Sequence, residues 1–358
     1  MKEVLQNQNF LGAFLLMISM VFIGYFMRRK NIITADGKKS ITALVFRVAL
    51  PCMAFSAFMH DFSSSDFVSG AASLIAATVF YIVWIAVGRL LFSKLGKRKA
   101  VISAFMISLG QLTLFSLPLM NALGSDKAML YASIMTLAFR GVLYFVAFTT
   151  IAGAAGDAEA ADESENAEIA EVINTDIAKP VQKKAERAFS GTLKKVLLTP
   201  VMIAMIAGMI VWLCQGFLPK VNGYCIFRID KTLPAVYKVV SVLSDMVSPL
   251  AMLLIGADMG ENDLRCALRD RYAWIVAAIR TVVCPVLVFL TVRFLLHSIF
   301  DGDAVMALTL GFAAPSSVTV NLFCSTYHYE EEYASHITVA STLLCILTVP
   351  LINALITL

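Results

Sequence analysis

The chain reads as an all-α integral membrane protein of ten transmembrane helices, built as two inverted five-helix repeats in which helices 4 and 9 are broken. Three observations lead there. Of 358 residues 59% are hydrophobic, the mean hydropathy is +0.79, and the charges fall in blocks between long apolar runs. A single polar segment, 154–193, divides those runs five and five. Prolines recur at matching places in the two halves: Pro51 and Pro118 are 67 residues apart, Pro249 and Pro315 are 66 apart.

A helix needs roughly 20 apolar residues to cross the hydrocarbon. The run 10–27 follows Lys2 and Glu3, ends in Arg28-Arg29-Lys30 and lacks a small-residue cleavage site, so it reads as a span and not a removed leader. Run 40–60 carries Arg47 and Pro51, and run 67–92 closes on Arg89. Run 101–123 follows Lys97-Arg98-Lys99 and contains Pro118, and run 127–153 contains Arg140. In the second half, run 194–217 opens on Lys194-Lys195, run 233–258 carries Asp245 and Pro249, and run 272–298 carries Arg280. Run 304–325 contains Pro315, and run 335–357 closes the chain. The organisation is thus a first repeat, 1–153, a charged linker, 154–193, and a second repeat, 194–358.

Five spans per half is an odd number, so the second half enters the membrane upside down relative to the first. An offset near 198 superposes span 2 on span 7 and span 4 on span 9. With the N-terminus outside, the inner loops collect the Lys and Arg residues of 28–39, 94–99, 179–195 and 265–271, eighteen against five outside. That bias places both termini outside and the linker in the cytoplasm. The linker, acidic and then basic, is too polar to bury a core. It reads as a tether between two halves, with a regulatory tail as the alternative. The seven cysteines show no paired spacing and read as apolar packing residues, so no disulfide framework, metal or cofactor is expected.

A proline inside a span removes a backbone donor and crowds the preceding turn, so the helix must break or kink and leave peptide groups in need of partners. Broken helices at corresponding places in two repeats point to a binding site at mid-membrane, and so to a transporter. After Pro315, Ser316 and Ser317 suit the first turn of a new half-helix, where N–H groups and the positive end of the dipole attract carboxylates. Asn321 and Thr319 lie on the next turn, and Gln111, Thr113, Ser116 and Pro118 supply the span 4 side. The alternative is that these small polar residues only join helix to helix.

Charges inside spans are costly and mark function or pairing. Arg47 and Asp245 each lie four residues before a proline, at equivalent repeat positions. They read as a mutual ion pair, as cavity lining, or as separate partners of backbone freed by the prolines. Arg140 near the middle of span 5 reads equally as a counter-charge for a substrate carboxylate or as a scaffold tie. Asp245 is the carboxylate best placed to carry a proton, although pairing with Arg47 would oppose that role.

Four stretches together resemble the auxin efflux carrier family of membrane transporters, which includes bacterial malate and malonate permeases. They are Val48 to Phe55, Gln111 to Leu119, Pro249-Leu250-Ala251 with Ile255-Gly256, and Ala313 to Ser317 followed by Ser341-Thr342-Leu343-Leu344 and Thr348-Val349-Pro350-Leu351. The resemblance implies a scaffold and a moving domain, with spans 4 and 9 broken at their prolines and crossing near the midplane. It implies a small organic anion as substrate, auxin in plant members or malate and malonate in bacterial ones, and a homodimer. The chain departs from the family pattern in having Gln111 and Ser116 where an Asn and a Gly are usual.

The expectation is a secondary or potential-driven permease for mono- or dicarboxylates that works by alternating access in the cell membrane. Protons are the expected coupling partner if there is one, and nucleic acid is not a partner. A membrane-embedded sensor signalling through the linker is the alternative. No HExxH, paired Asp-rich motif or nucleophile with a nearby base suggests an enzyme.

Overall fold

A computed structural model describes residues 8–123, 125–151, 198–217, 219–221, 224–261 and 264–356. The charged linker lies outside the described residues. Helix α1 is Gln8–Arg29, ending on two arginines that suit the negative end of its dipole. Helix α2, Ala35–Ser56, is opened by Thr34, whose side chain accepts from the Gly37 amide. Helix α3 is Ser64–Leu91, and α4 is Lys97–Ser108. The chain unwinds at 109–111 and resumes as α5, a π turn Leu112–Ser116 continuing through Leu117–Ala122. Helix α6 is Asp126–Ile151, capped by Ser125, and α7 is Pro200–Cys214, capped by Thr199 with its proline in the first turn.

A two-stranded hairpin follows, β1 Lys220–Val221 with β2 Tyr224–Cys225, then the single turn α8, Ile229–Thr232. Helix α9 is Pro234–Glu261, α10 is Leu264–Arg269, and α11 is Arg271–Leu295 with Asp270 as its cap. Helix α12, Gly302–Ala313, stops before Pro315, and α13, Val318–Thr326, restarts after it. Helix α14 is Glu331–Ile356. Among the described residues α2, α3, α6, α9, α11 and α14 are long and apolar enough to cross a membrane, and α5, α7 and α12 are shorter apolar helices. Leu15, Phe26, Leu90, Phe294 and Leu351 point outward, as a lipid-facing surface requires.

The prolines act differently from one another. Pro51, Pro118 and Pro285 each follow a π turn that ends two residues earlier, at Ala49, Ser116 and Val283. Widening the turn makes room for the ring and absorbs the missing donor, so the helix carries on. Span 4 is therefore not broken at Pro118, contrary to the sequence expectation. It is broken at 109–111, where Gly110 has no side chain to obstruct a close approach. Only span 9 is broken at its proline, because Pro315 holds the preceding Ala314 extended, at ψ 150°.

Helices α1, α2, α7 and α9 pack into one bundle, and α3 to α6 with α10 to α14 into another. The first is closed by near backbone contact between α1 and α9. A Cβ on Gly256 would lie 2.0 Å from the Val21 carbonyl oxygen, and one on Gly24 would lie 2.1 Å from that of Leu253. Gly260, four residues after Gly256, continues the smooth stripe against Tyr25 and Arg28. The bundles touch where α5 meets α9 and α1.

Candidate functional site

The two unwound segments pair with each other. Gly110 and Ser316 form an antiparallel bridge, in which the Gln111 amide donates to the Pro315 carbonyl at 2.8 Å and the Ser317 amide to the Leu109 carbonyl at 3.0 Å. Side chains take up other freed groups. Ser316 Oγ donates to the Met106 carbonyl at 3.0 Å, and Ser341 Oγ accepts from the Ser316 amide at 3.0 Å. Ser116 Oγ donates to the Leu310 carbonyl at 3.1 Å. The breaks thus form one small backbone knot in which peptide groups that lipid cannot satisfy find protein partners.

The remaining carbonyls converge on Arg280 of α11, which is fully buried. Its Nη1 donates to the carbonyls of Ile107 (3.0 Å) and Ser108 (2.8 Å), its Nε to Ala314 (3.0 Å) and its Nη2 to Gly311 (3.2 Å). These are the C-terminal ends of α4 and α12, where partial negative charge accumulates. The guanidinium also lies over the Phe312 ring, 5.5 Å from its centroid. Sequence reasoning passed over Arg280 in favour of Arg140. The available signal was a cation in an apolar run of a chain whose two helix breaks leave carbonyls to be capped.

A cleft of about 520 Å³ opens between the two bundles and reaches the knot. One wall is Lys38, Thr42 and Phe46 of α2 with Leu254, Ile255, Asp258, Met259 and Glu261 of α9. The other is Val318, Thr319, Asn321, Leu322 and Ser325 of α13 with a stripe of α14 from Glu331 to Thr342. Gln111, Leu114 and Pro315 lie at its inner end. Gln111 is 5% exposed and its Nε2 has no hydrogen-bond partner, and Asn321 Oδ1 has none either. Each amide carries a donor as well as an acceptor end, so each side chain can turn a donor toward the cleft. The amides of Val318, Thr319 and Val320, in the first turn of α13, lack intrahelical partners, and Val318 and Thr319 line the cleft.

The mouth is acidic. Glu331, Glu332, Asp258 and Glu261 line it beside Lys38 and His336. Lys38 is bonded to both Asp258 and Glu261 at 2.5 Å, and Arg28 to Glu261 at 2.9 Å. His336 Nδ1 lies 3.1 Å from Asp270 Oδ2.

Of the expected site residues, Gln111, Pro315 and Asn321 come together on the cleft, as does Thr319. Ser116 and Ser316 are spent on the knot. Ser317 is buried at the α13 cap with its Oγ unpartnered. Thr113 and Pro118 are buried and do not line the cleft. Arg47 and Asp245 are exposed on α2 and α9 and are not among the residues that line this cleft. The turn at Met246 splits α9 there and turns Asp245 outward. Arg140 is buried on α6, away from the cleft, with its Nε unpartnered. The ring contacts Tyr144–Phe323 and Phe148–Tyr327 run α6 alongside α13, so Arg140, one turn before Tyr144, lies behind the α13 N-terminus.

The model of a family described as membrane transport protein matches residues 10–353. Comparison with curated proteins finds none that matches.

Proposed function

The chain belongs to the membrane transport protein family, that of the auxin efflux carriers, and from that premise we propose a secondary or potential-driven transporter of small organic anions, mono- or dicarboxylates, that works by alternating access. The observation that carries this reading is a cleft between two bundles whose inner end offers unpartnered amides, Gln111 and Asn321, beside the start of α13. A carboxylate there would accept from the amides and from the first-turn N–H groups while meeting the positive end of the helix dipole. The bundle carrying the knot slides against α1, α2, α7 and α9 and exposes the site to either face in turn. Further support comes from helix breaks in the fourth and ninth apolar runs, in keeping with a ten-span inverted repeat, and from the cationic bias of the loops 28–39 and 94–99, in keeping with termini outside and the linker within.

The test is flux of labelled malate, malonate and indole-3-acetate in proteoliposomes, with membrane potential and pH gradient imposed separately. Saturable flux that follows potential alone identifies a uniporter, and flux that requires the pH gradient identifies proton coupling. Absence of flux of every anion under both gradients would overturn the reading.

A further inference from the structure

We propose that Arg280, without touching the substrate, sets the sign of the potential at the inner end of the cleft and so decides which charge the cleft admits. Four helix ends meet at the knot: the C-termini of α4 and α12 and the N-termini of α5 and α13. Each end carries about half an elementary charge, so two of each sign nearly cancel. Arg280 adds a full positive charge whose hydrogen-bond partners are all carbonyls. Those dipoles solvate the guanidinium but do not neutralise it, and an uncompensated buried charge is costly. An anion at the start of α13 supplies the missing compensation through space. Arg280 is thus a positioning residue for the two half-helices and, together with the buried Arg140 behind the α13 N-terminus, a determinant of charge selectivity. The mouth, with Glu331 and Glu332 beside a Lys38 already held by Asp258 and Glu261, has the opposite sign. The inference rests on the knot being the inner end of the transport cleft, but not on which anion is carried.

The test reads potential directly and needs no substrate. Thr319→Cys places a reporter thiol on the inner wall of the cleft, and native Cys266 lines its mouth. Reaction of the full-length protein with a sulfonate-bearing and a trimethylammonium-bearing methanethiosulfonate, read peptide by peptide, gives an anion-to-cation rate ratio at each place. Cys284 Sγ lies 4.0 Å from the same Ile107 carbonyl that Arg280 caps, so Cys284→Asp sets a carboxylate beside the guanidinium, with Cys284→Asn as the neutral match. Cys345, whose Sγ lies 3.2 Å from the Ala313 carbonyl, offers the same pair of variants from α14.

The aspartate variant should lower the ratio at the Thr319→Cys reporter by at least about tenfold relative to the asparagine variant, the effect of a unit charge roughly 10 Å away at an effective dielectric near 20. The ratio at Cys266 should stay where it was. Equal ratios in the two variants overturn the proposal. So does a reporter that, with Arg280, Cys284 and Cys345 all intact, shows an anion-to-cation rate ratio below that of the same two reagents with a small free thiol in solution, which keeps the test decisive if the aspartate variants fail to insert. A ratio that falls as expected in a protein that moves no organic anion would sink the proposed substrate class and leave the role of Arg280 standing.

Discussion

Gly110 and Arg280 fit so closely that a Cβ on the glycine would lie 1.8 Å from Arg280 Nη2. The absence of a side chain at one break lets a cation 170 residues away cap the C-termini of two half-helices at once. Gly110→Ala should therefore displace the guanidinium. Overpacking of about 1–3 kcal/mol adds to the weakening of charge-assisted bonds worth roughly 1.5–3 kcal/mol each. A fall of several degrees in the melting temperature of the detergent-solubilised protein is expected, and an unchanged melting curve would refute it.

Gln111 and Asn321 should separate binding from stability. Their unpartnered amide atoms contribute no internal hydrogen bond, so Gln111→Ala and Asn321→Ala should change stability by less than about 1 kcal/mol. Each should weaken the apparent affinity for a carboxylate substrate by about tenfold, one hydrogen bond to a charged group. Flux titrations and thermal melts on the same preparations check both halves. By contrast, Ser341→Ala strands the buried Ser316 amide and should cost about 1–3 kcal/mol.

The α1–α9 contact tests whether the two bundles act separately. Gly256→Ala drives a methyl group into the Val21 carbonyl and should destabilise by about 1–3 kcal/mol or more. Leu254, Ile255 and Asp258 beside Gly256 line the cleft, so displacing α9 should also raise the half-saturating substrate concentration. A loss of stability with that concentration unaltered would show that the two bundles act separately.

Asp245 is exposed and off the cleft. Asp245→Asn should leave flux within about twofold and any dependence on a pH gradient intact, as surface substitutions usually change little. Loss of the pH dependence in this variant would restore the residue as a proton carrier.

Much of the fold was legible because hydropathy is a local property. Every described helix from α1 to α14, apart from the turn α8 and the short α10, falls on an apolar run, and the caps Ser125, Asp270 and Asp301 stand two or three residues before their runs begin. The site was legible in part, because Pro315 marks its own break. Span 4 misled because a proline can be absorbed by a π turn, and whether it is depends on what packs against the widened turn. Arg280 was missed for a related reason: the carbonyls it caps belong to residues distant in sequence and announce themselves only when α4, α11 and α12 meet.

Composition, the placement of charge and the recurring prolines by themselves determined a multi-pass helical membrane protein, since lipid imposes hydrophobicity and internal hydrogen bonding on each segment separately, and the resemblance of four stretches pointed to the transport family. Tertiary structure alone decided where span 4 unwinds, which arginine holds the crossing, and which of the small polar residues keep an unspent hydrogen bond facing the cleft. Those outcomes follow from pairing freed backbone groups across the whole chain, and no window of sequence contains both members of such a pair.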